Sequence, residues 1–104
     1  VLDQLISAYA RAVPGSTPYF WRTARGDEVD LLVATGKRLV PFEVKLHSAP
    51  TPGAARGVRC CMQLLELPRG YLVYPGRESY SLGDGVTALS AETVLADPNA
   101  MARL

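Results

Sequence analysis

The sequence predicts an α/β fold, a mixed sheet with helices packed on it. Three observations predict it: apolar residues at helical spacing open the chain, three apolar stretches of strand character follow across short turns, and a second helical stretch precedes a fourth strand. The first helix rests on Leu2, Leu5, Ile6, Tyr9 and Val13, with Pro14 and Gly15 stopping the pattern. Pro18 to Thr23 is aromatic-rich, Glu28 to Thr35 is β-branched and leucine-rich, and Leu39 to Lys45 alternates. Ala24-Arg25-Gly26-Asp27 and Gly36-Lys37 are the turns between them, so the three form an antiparallel meander. Leu46 to Gly53, with two prolines, is a loop. A helix from about Ala54 to Leu67 follows, with Val58, Met62 and Leu65 as its buried stripe, Arg56, Arg59 and Glu66 in water, and Pro68 ending it. Gly70 to Tyr74 is a short buried strand, reached by a helical connection long enough for a parallel crossover. Ser81 to Gly85 is turn-rich, Val86 to Leu89 is a small edge strand, and Ser90 caps a last helix through Ala96.

Composition narrows the class. The chain has 104 residues, of which 48% are hydrophobic, with 11 basic and 10 acidic side chains and a formal charge of +1. That suits one domain, residues 1–104, and argues against disorder. The longest apolar run is four residues, far short of the roughly 18 a membrane-spanning helix needs. No secretory leader is visible, and the two cysteines, Cys60 and Cys61, are adjacent and cannot close a useful loop, so a reducing, cytoplasmic setting without a membrane is expected. A start at Val1 points to a fragment of something longer. The near-neutral charge offers no general basic coat for nucleic acid, although a local basic face fits it.

The chemistry lies in two strands. Alternation sends Glu43 and Lys45 to one face and Val40, Phe42 and Val44 to the other. A two-residue hairpin loop at Gly36-Lys37, with glycine first as a type II′ turn wants, sets Thr35 against Arg38 and places Asp30 opposite Glu43. A four-residue loop preserves the pairing, and only an odd-length loop breaks it. Opposed side chains have Cβ atoms about 4.5–5.5 Å apart, so two carboxylates there repel unless compensated. Mg²⁺ or Mn²⁺ is the natural compensation, leaving open positions for water and a phosphate oxygen, and Lys45 then stands beside the metal. This is the outline of a site for phosphodiester hydrolysis. The plainer alternative is that Lys45 neutralises an acid at a partly exposed sheet edge; against it, charges inside central apolar strands are costly unless paired or metal-bound.

Around these residues the sequence resembles a family. Phe20-Trp21-Arg22-Thr23, Gly26, Glu28-Val29-Asp30, Pro41-Phe42-Glu43-Val44-Lys45 and the strand Gly70 to Tyr74 with Pro75-Gly76 are similar to the C-terminal domain of unknown function that follows the ATPase module in many prokaryotic AAA+ proteins. That domain is identified as a member of the PD-(D/E)xK nuclease-like superfamily. The resemblance runs from about Tyr19 to about Leu89. It implies a restriction-endonuclease-like core, Asp30 and Glu43 as metal ligands with the Val44 carbonyl as a further one, Lys45 as the catalytic lysine, DNA as substrate, and the ATPase domain of the same longer chain as partner. Val29 stands where the superfamily pattern has proline. The acid that many active members carry on the first helix has no clear counterpart, Asp3 being the only acid there. Some superfamily members keep the fold without catalysis, which leaves an inactive module for DNA binding or protein interaction as the alternative.

Other residues carry weaker signals. Gln63 stands roughly where RecB-type relatives carry a glutamine, and reads more readily as a solvated or capping polar residue. His47 is read as an ordinary exposed histidine, Glu28 as a supporting acid or a strand-end charge, and Tyr19 and Trp21 as base-stacking or core aromatics. Arg22, Lys37, Arg38, Arg56, Arg59, Arg69 and Arg77 are candidates for phosphate contact. No phosphate-loop motif, zinc spacing or nucleophile elbow occurs, so any nucleotide hydrolysis belongs to another domain.

Overall fold

A computed structural model describes residues 2–36, 38–45, 49–97 and 99–104. Helix α1 (Leu2–Ala12) leads into β1 (Thr17–Arg22), β2 (Glu28–Thr35) and β3 (Arg38–Val44). A 3-10 turn (Pro52–Ala55) runs directly into α2 (Arg56–Leu65), followed by β4 (Gly70–Tyr74), β5 (Tyr80–Gly83), β6 (Val86–Ser90), α3 (Ala91–Ala96) and a closing 3-10 turn (Met101–Arg103). Among the described residues the strands form one six-stranded mixed sheet in the order β1-β2-β3-β4-β6-β5.

The first three strands are the expected antiparallel meander, and β3 pairs with β4 in parallel through the α2 crossover. Thr35 faces Arg38, and Gly36 takes a φ of 58°, the positive value a two-residue turn demands. Lys37 lies outside the described residues. Pro41 stands in a central strand, but just before the parallel ladder opens at Phe42 and Tyr71, where its missing N–H removes no rung.

Two apolar layers cover the sheet. One packs Leu5 and Tyr9 of α1, Val94 of α3 and Met101 over Leu31, Val33, Val40, Phe42, Tyr71 and Val73. The other packs Val58, Cys61 and Met62 of α2 over Val29, Leu32, Leu72, Tyr74 and Ala88.

Three expectations are corrected. Val86 to Leu89 is not an edge strand: β6 pairs in parallel with β4 on one side and antiparallel with β5 on the other, and Val86, Ala88 and Leu89 are buried. The edge is β5, formed by part of the segment read as turn; a register shift between Ser81 and Gly83 and positive φ at Gly83, Asp84 and Gly85 explain its turn-like sequence. On α2, Cys61 rather than Leu65 completes the buried stripe. The helix ends there, Glu66 turning left-handed at φ 55°, and Leu65 is left 36% exposed. Arg59 is half-buried, its guanidinium bonded to the carbonyls of Pro52 and Leu82.

Candidate functional site

The site forms where β2 leaves β3. The paired register runs from Thr35 and Arg38 to Leu31 and Phe42; Asp30 and Glu43 lie just beyond its end, close enough for the Asp30 charge to act on Glu43. On its other side β2 carries a bulge: Asp30 and Leu31 together oppose the single residue Phe20, between the pairs Trp21 with Val29 and Tyr19 with Leu32. The extra residue breaks the alternation. Val29 and Leu32, three apart, both pack in the layer under α2.

Asp30 Oδ2 accepts the Val44 N–H at 2.8 Å, taking the place of the carbonyl that β2 would have offered had it stayed paired. The Lys45 N–H donates to the Val73 carbonyl at 2.8 Å, so β3 stays extended through Lys45 and keeps Glu43 and Lys45 on one face. Their charges meet, with Lys45 Nζ 3.5 Å from Glu43 Oε2 and side-chain exposures of 39% and 15%. The Glu43 carboxyl is pushed above the usual range by burial; Lys45 opposes the shift, and the charges of Asp30 and Glu28 reinforce it.

Gly57 of α2 closes the site from above. A Cβ there would lie 2.5 Å from the Glu28 carbonyl oxygen and 3.6 Å from Glu43 Oε1, so only glycine allows the helix this approach. Sequence reasoning passed over Gly57, although a glycine inside a helical pattern is itself a sign of close packing.

Asp30, Glu43, Val44 and Lys45 are therefore brought together, and Glu28 joins their field. The donor set fits a hard cation: two carboxylates and a main-chain carbonyl, with Asp30 Oδ2 engaged by an N–H and Glu43 Oε2 by Lys45. Among the described residues no three His, Cys, Asp or Glu side chains gather as a metal cage, so a cation here would complete its shell with water. Gln63 is exposed and lines a different hollow, with Arg25, Asp27, Arg56, Arg59 and Cys60. Asp3 lies on α1 beside Gln4, Ser7 and Arg11, away from the pair. Trp21 packs partly into the α2 layer, Tyr19 is 53% exposed, and His47 lies outside the described residues. No described helix is long and apolar enough to cross a membrane.

The chain is 37% identical over 95 residues to Uncharacterized protein Mb2031c of Mycobacterium bovis and, to the same extent, to Uncharacterized protein Rv2008c of Mycobacterium tuberculosis. Each match covers 91% of this chain and 20% of the relative, so the chain spans about a fifth of the length of the curated relatives it matches. No solved structure gives a significant match. Residues 1–94 match the family described as Domain of unknown function (DUF4143), and the chain belongs to that family.

Proposed function

We propose that this chain is a nuclease-like domain of a longer cytoplasmic AAA+ ATPase, in which Asp30, Glu43 and Lys45 carry out Mg²⁺- or Mn²⁺-dependent phosphodiester hydrolysis on DNA. The observation that carries the reading is the convergence of two carboxylates and a lysine at the divergence of β2 and β3. Two further features support it: the element order of helix, three antiparallel strands, helix and parallel strand suits a restriction-endonuclease-like core, and the chain's one-fifth share of its relatives suits a module of a larger protein.

In this reading Asp30, Glu43 and the Val44 carbonyl hold the cation. When bound, it supplies Lewis-acid polarisation of a phosphate oxygen and acidifies a water. Glu43 steers the Lys45 ammonium through their ion pair, and the ammonium orients the attacking water and balances charge developing on the phosphate. Asp30, tied to the main chain of β3, fixes the spacing between the two strands at the reacting centre.

One observation favours a second reading. Asp30 and Glu43 each already have a protein partner, Val44 N–H and Lys45, so the group can also persist as a structural ion cluster in a non-catalytic module that binds DNA or another protein. Calorimetric titration with Mg²⁺ and Mn²⁺, run beside DNA cleavage, separates the two. The catalytic reading expects metal binding that Asp30→Asn with Glu43→Gln removes, and a cleavage rate that Lys45→Ala lowers by at least ~100-fold. Absence of metal binding, or equal cleavage by wild type and Lys45→Ala, assigns the domain to the second reading.

A further inference from the structure

Beside the carboxylate site, at the start of α2, lies an open hollow of about 370 Å³ walled by Arg25, Arg56, Arg59 and Gln63, with Asp27 and Cys60 at its side. We propose that this hollow binds the phosphodiester backbone of a nucleic-acid strand and leads it toward Asp30, Glu43 and Lys45. The binding half stands without the nuclease reading; only the delivery of the strand for cleavage rests on it.

Charge comes first. Three guanidinium groups meet two carboxylates, Asp27, which pairs with Arg56 at 3.5 Å, and the exposed Asp84, 3.9 Å from Arg59, so the hollow keeps a modest positive surplus in a chain whose formal charge is only +1. Arg59 is a fixed wall. Its terminal nitrogens bond the Pro52 and Leu82 carbonyls, its Nε is buried without a hydrogen-bond partner, and the nearest carboxylate, Asp84, is 3.9 Å away and 89% exposed. Arg25 and Arg56 are exposed and can reach a ligand, with planar donor forks that match phosphate oxygens. The turn presenting Arg25 is rigid: Thr23 N–H bonds the Asp27 carbonyl at 2.8 Å, and Asp27 N–H bonds Thr23 Oγ1 at 3.1 Å. Burial and the neighbouring Asp27 raise the Cys60 thiol, so it enters the hollow neutral.

Position and neighbours specify the ligand. Arg56 precedes Gly57, the residue that meets the Glu28 carbonyl and Glu43, so the hollow and the carboxylates flank one turn of α2. Tyr19 and Trp21 pair with Leu32 and Val29, which both pack under α2, and so put their rings on that same side of the sheet, on the strand that runs into the Arg25 turn. Arginines at the end of an edge strand that carries the exposed Tyr19 suit a strand with bases to stack more than a free phosphate.

The test is fluorescence anisotropy of a short labelled single-stranded DNA with the 104-residue chain, in EDTA so that binding is read without cleavage. Arg25→Glu with Arg56→Glu is expected to weaken binding at least ~10-fold at low salt and to reduce the slope of log affinity against log salt by about 1.4. Arg11→Glu, on α1 across the sheet, retains wild-type affinity, and circular dichroism confirms that the double variant is folded. Absence of wild-type binding, or an affinity and salt slope unchanged in the double variant, overturns the proposal. Arginine-dependent binding in EDTA without cleavage in Mg²⁺ or Mn²⁺ leaves the hollow assigned and counts against the nuclease reading alone.

Discussion

At Asp30 a side chain completes the hydrogen bonding of a sheet that has begun to separate. The Val44 N–H points into the gap left by β2, and Asp30 Oδ2 meets it at 2.8 Å. Replacing the acid by alanine leaves that half-buried donor without its partner, so Asp30→Ala is expected to cost about 1–3 kcal/mol in urea denaturation. Asp30→Asn keeps an acceptor oxygen and removes a negative neighbour of Glu43, so its stability is expected to stay close to wild type. If Asn destabilises as much as Ala, the hydrogen bond is not what holds Asp30 in place. The register that brings Asp30 near Glu43 was legible in the sequence as far as Leu31 and Phe42, because a two-residue loop sets Thr35 against Arg38. Gly57 was not legible, since its value lies in contacts with the Glu28 carbonyl and Glu43, which are remote in sequence.

Among the elements, α2 shows how far periodicity reaches. Its place and crossover role follow from the gap between two apolar strands, whereas its span, Arg56–Leu65 after a 3-10 turn, is shorter than the expected Ala54 to Leu67. Its buried face does not follow, because Cys61 reads as readily polar as apolar, and the left-handed turn at Glu66 ends the helix before Leu65 can tuck under. Burial of Cys61 pushes its thiol to about 11 from an ordinary value near 9. The unfolded chain loses this proton first as pH rises, so the folded state binds more protons between those values. Stability from this source is whole below pH 9 and is lost as pH climbs toward 11, by on the order of 2–3 kcal/mol. Denaturation across that range should show a steeper alkaline decline for wild type than for Cys61→Ala; parallel declines would mean that the fold does not hold the Cys61 thiol protonated there. The β5–β6 hairpin was the element least visible in sequence. Glycines and Asp84 at positive φ write a turn signature over residues that also pair, and the shifted register hides the strand period.

For the whole molecule, β3 and β4 are shared by both apolar layers, so loss of either layer should melt both. Phe42 is fully buried, stacked on Tyr71 at 5.3 Å and edge-on to Tyr9 at 5.8 Å, and so joins α1, β3 and β4. Phe42→Ala is expected to cost about 3–5 kcal/mol. Trp21, on the opposite layer, should report the same lowered midpoint by fluorescence as far-UV circular dichroism does; two separate midpoints would mean that the layers unfold independently. At this scale the fold class was the most legible property, because the order of periodicities alone dictates a meander followed by a crossover. The bulge in β2 sets the chain on its two sides one residue out of phase. Deleting a residue at Asp30 or Leu31 would leave Val29 and Leu32 two apart, so that plain alternation would keep both under α2 without the bulge. The packing of Val29 thus does not demand the extra residue; the bulge instead accompanies the turn of the Asp30 carboxylate toward the Val44 N–H of β3.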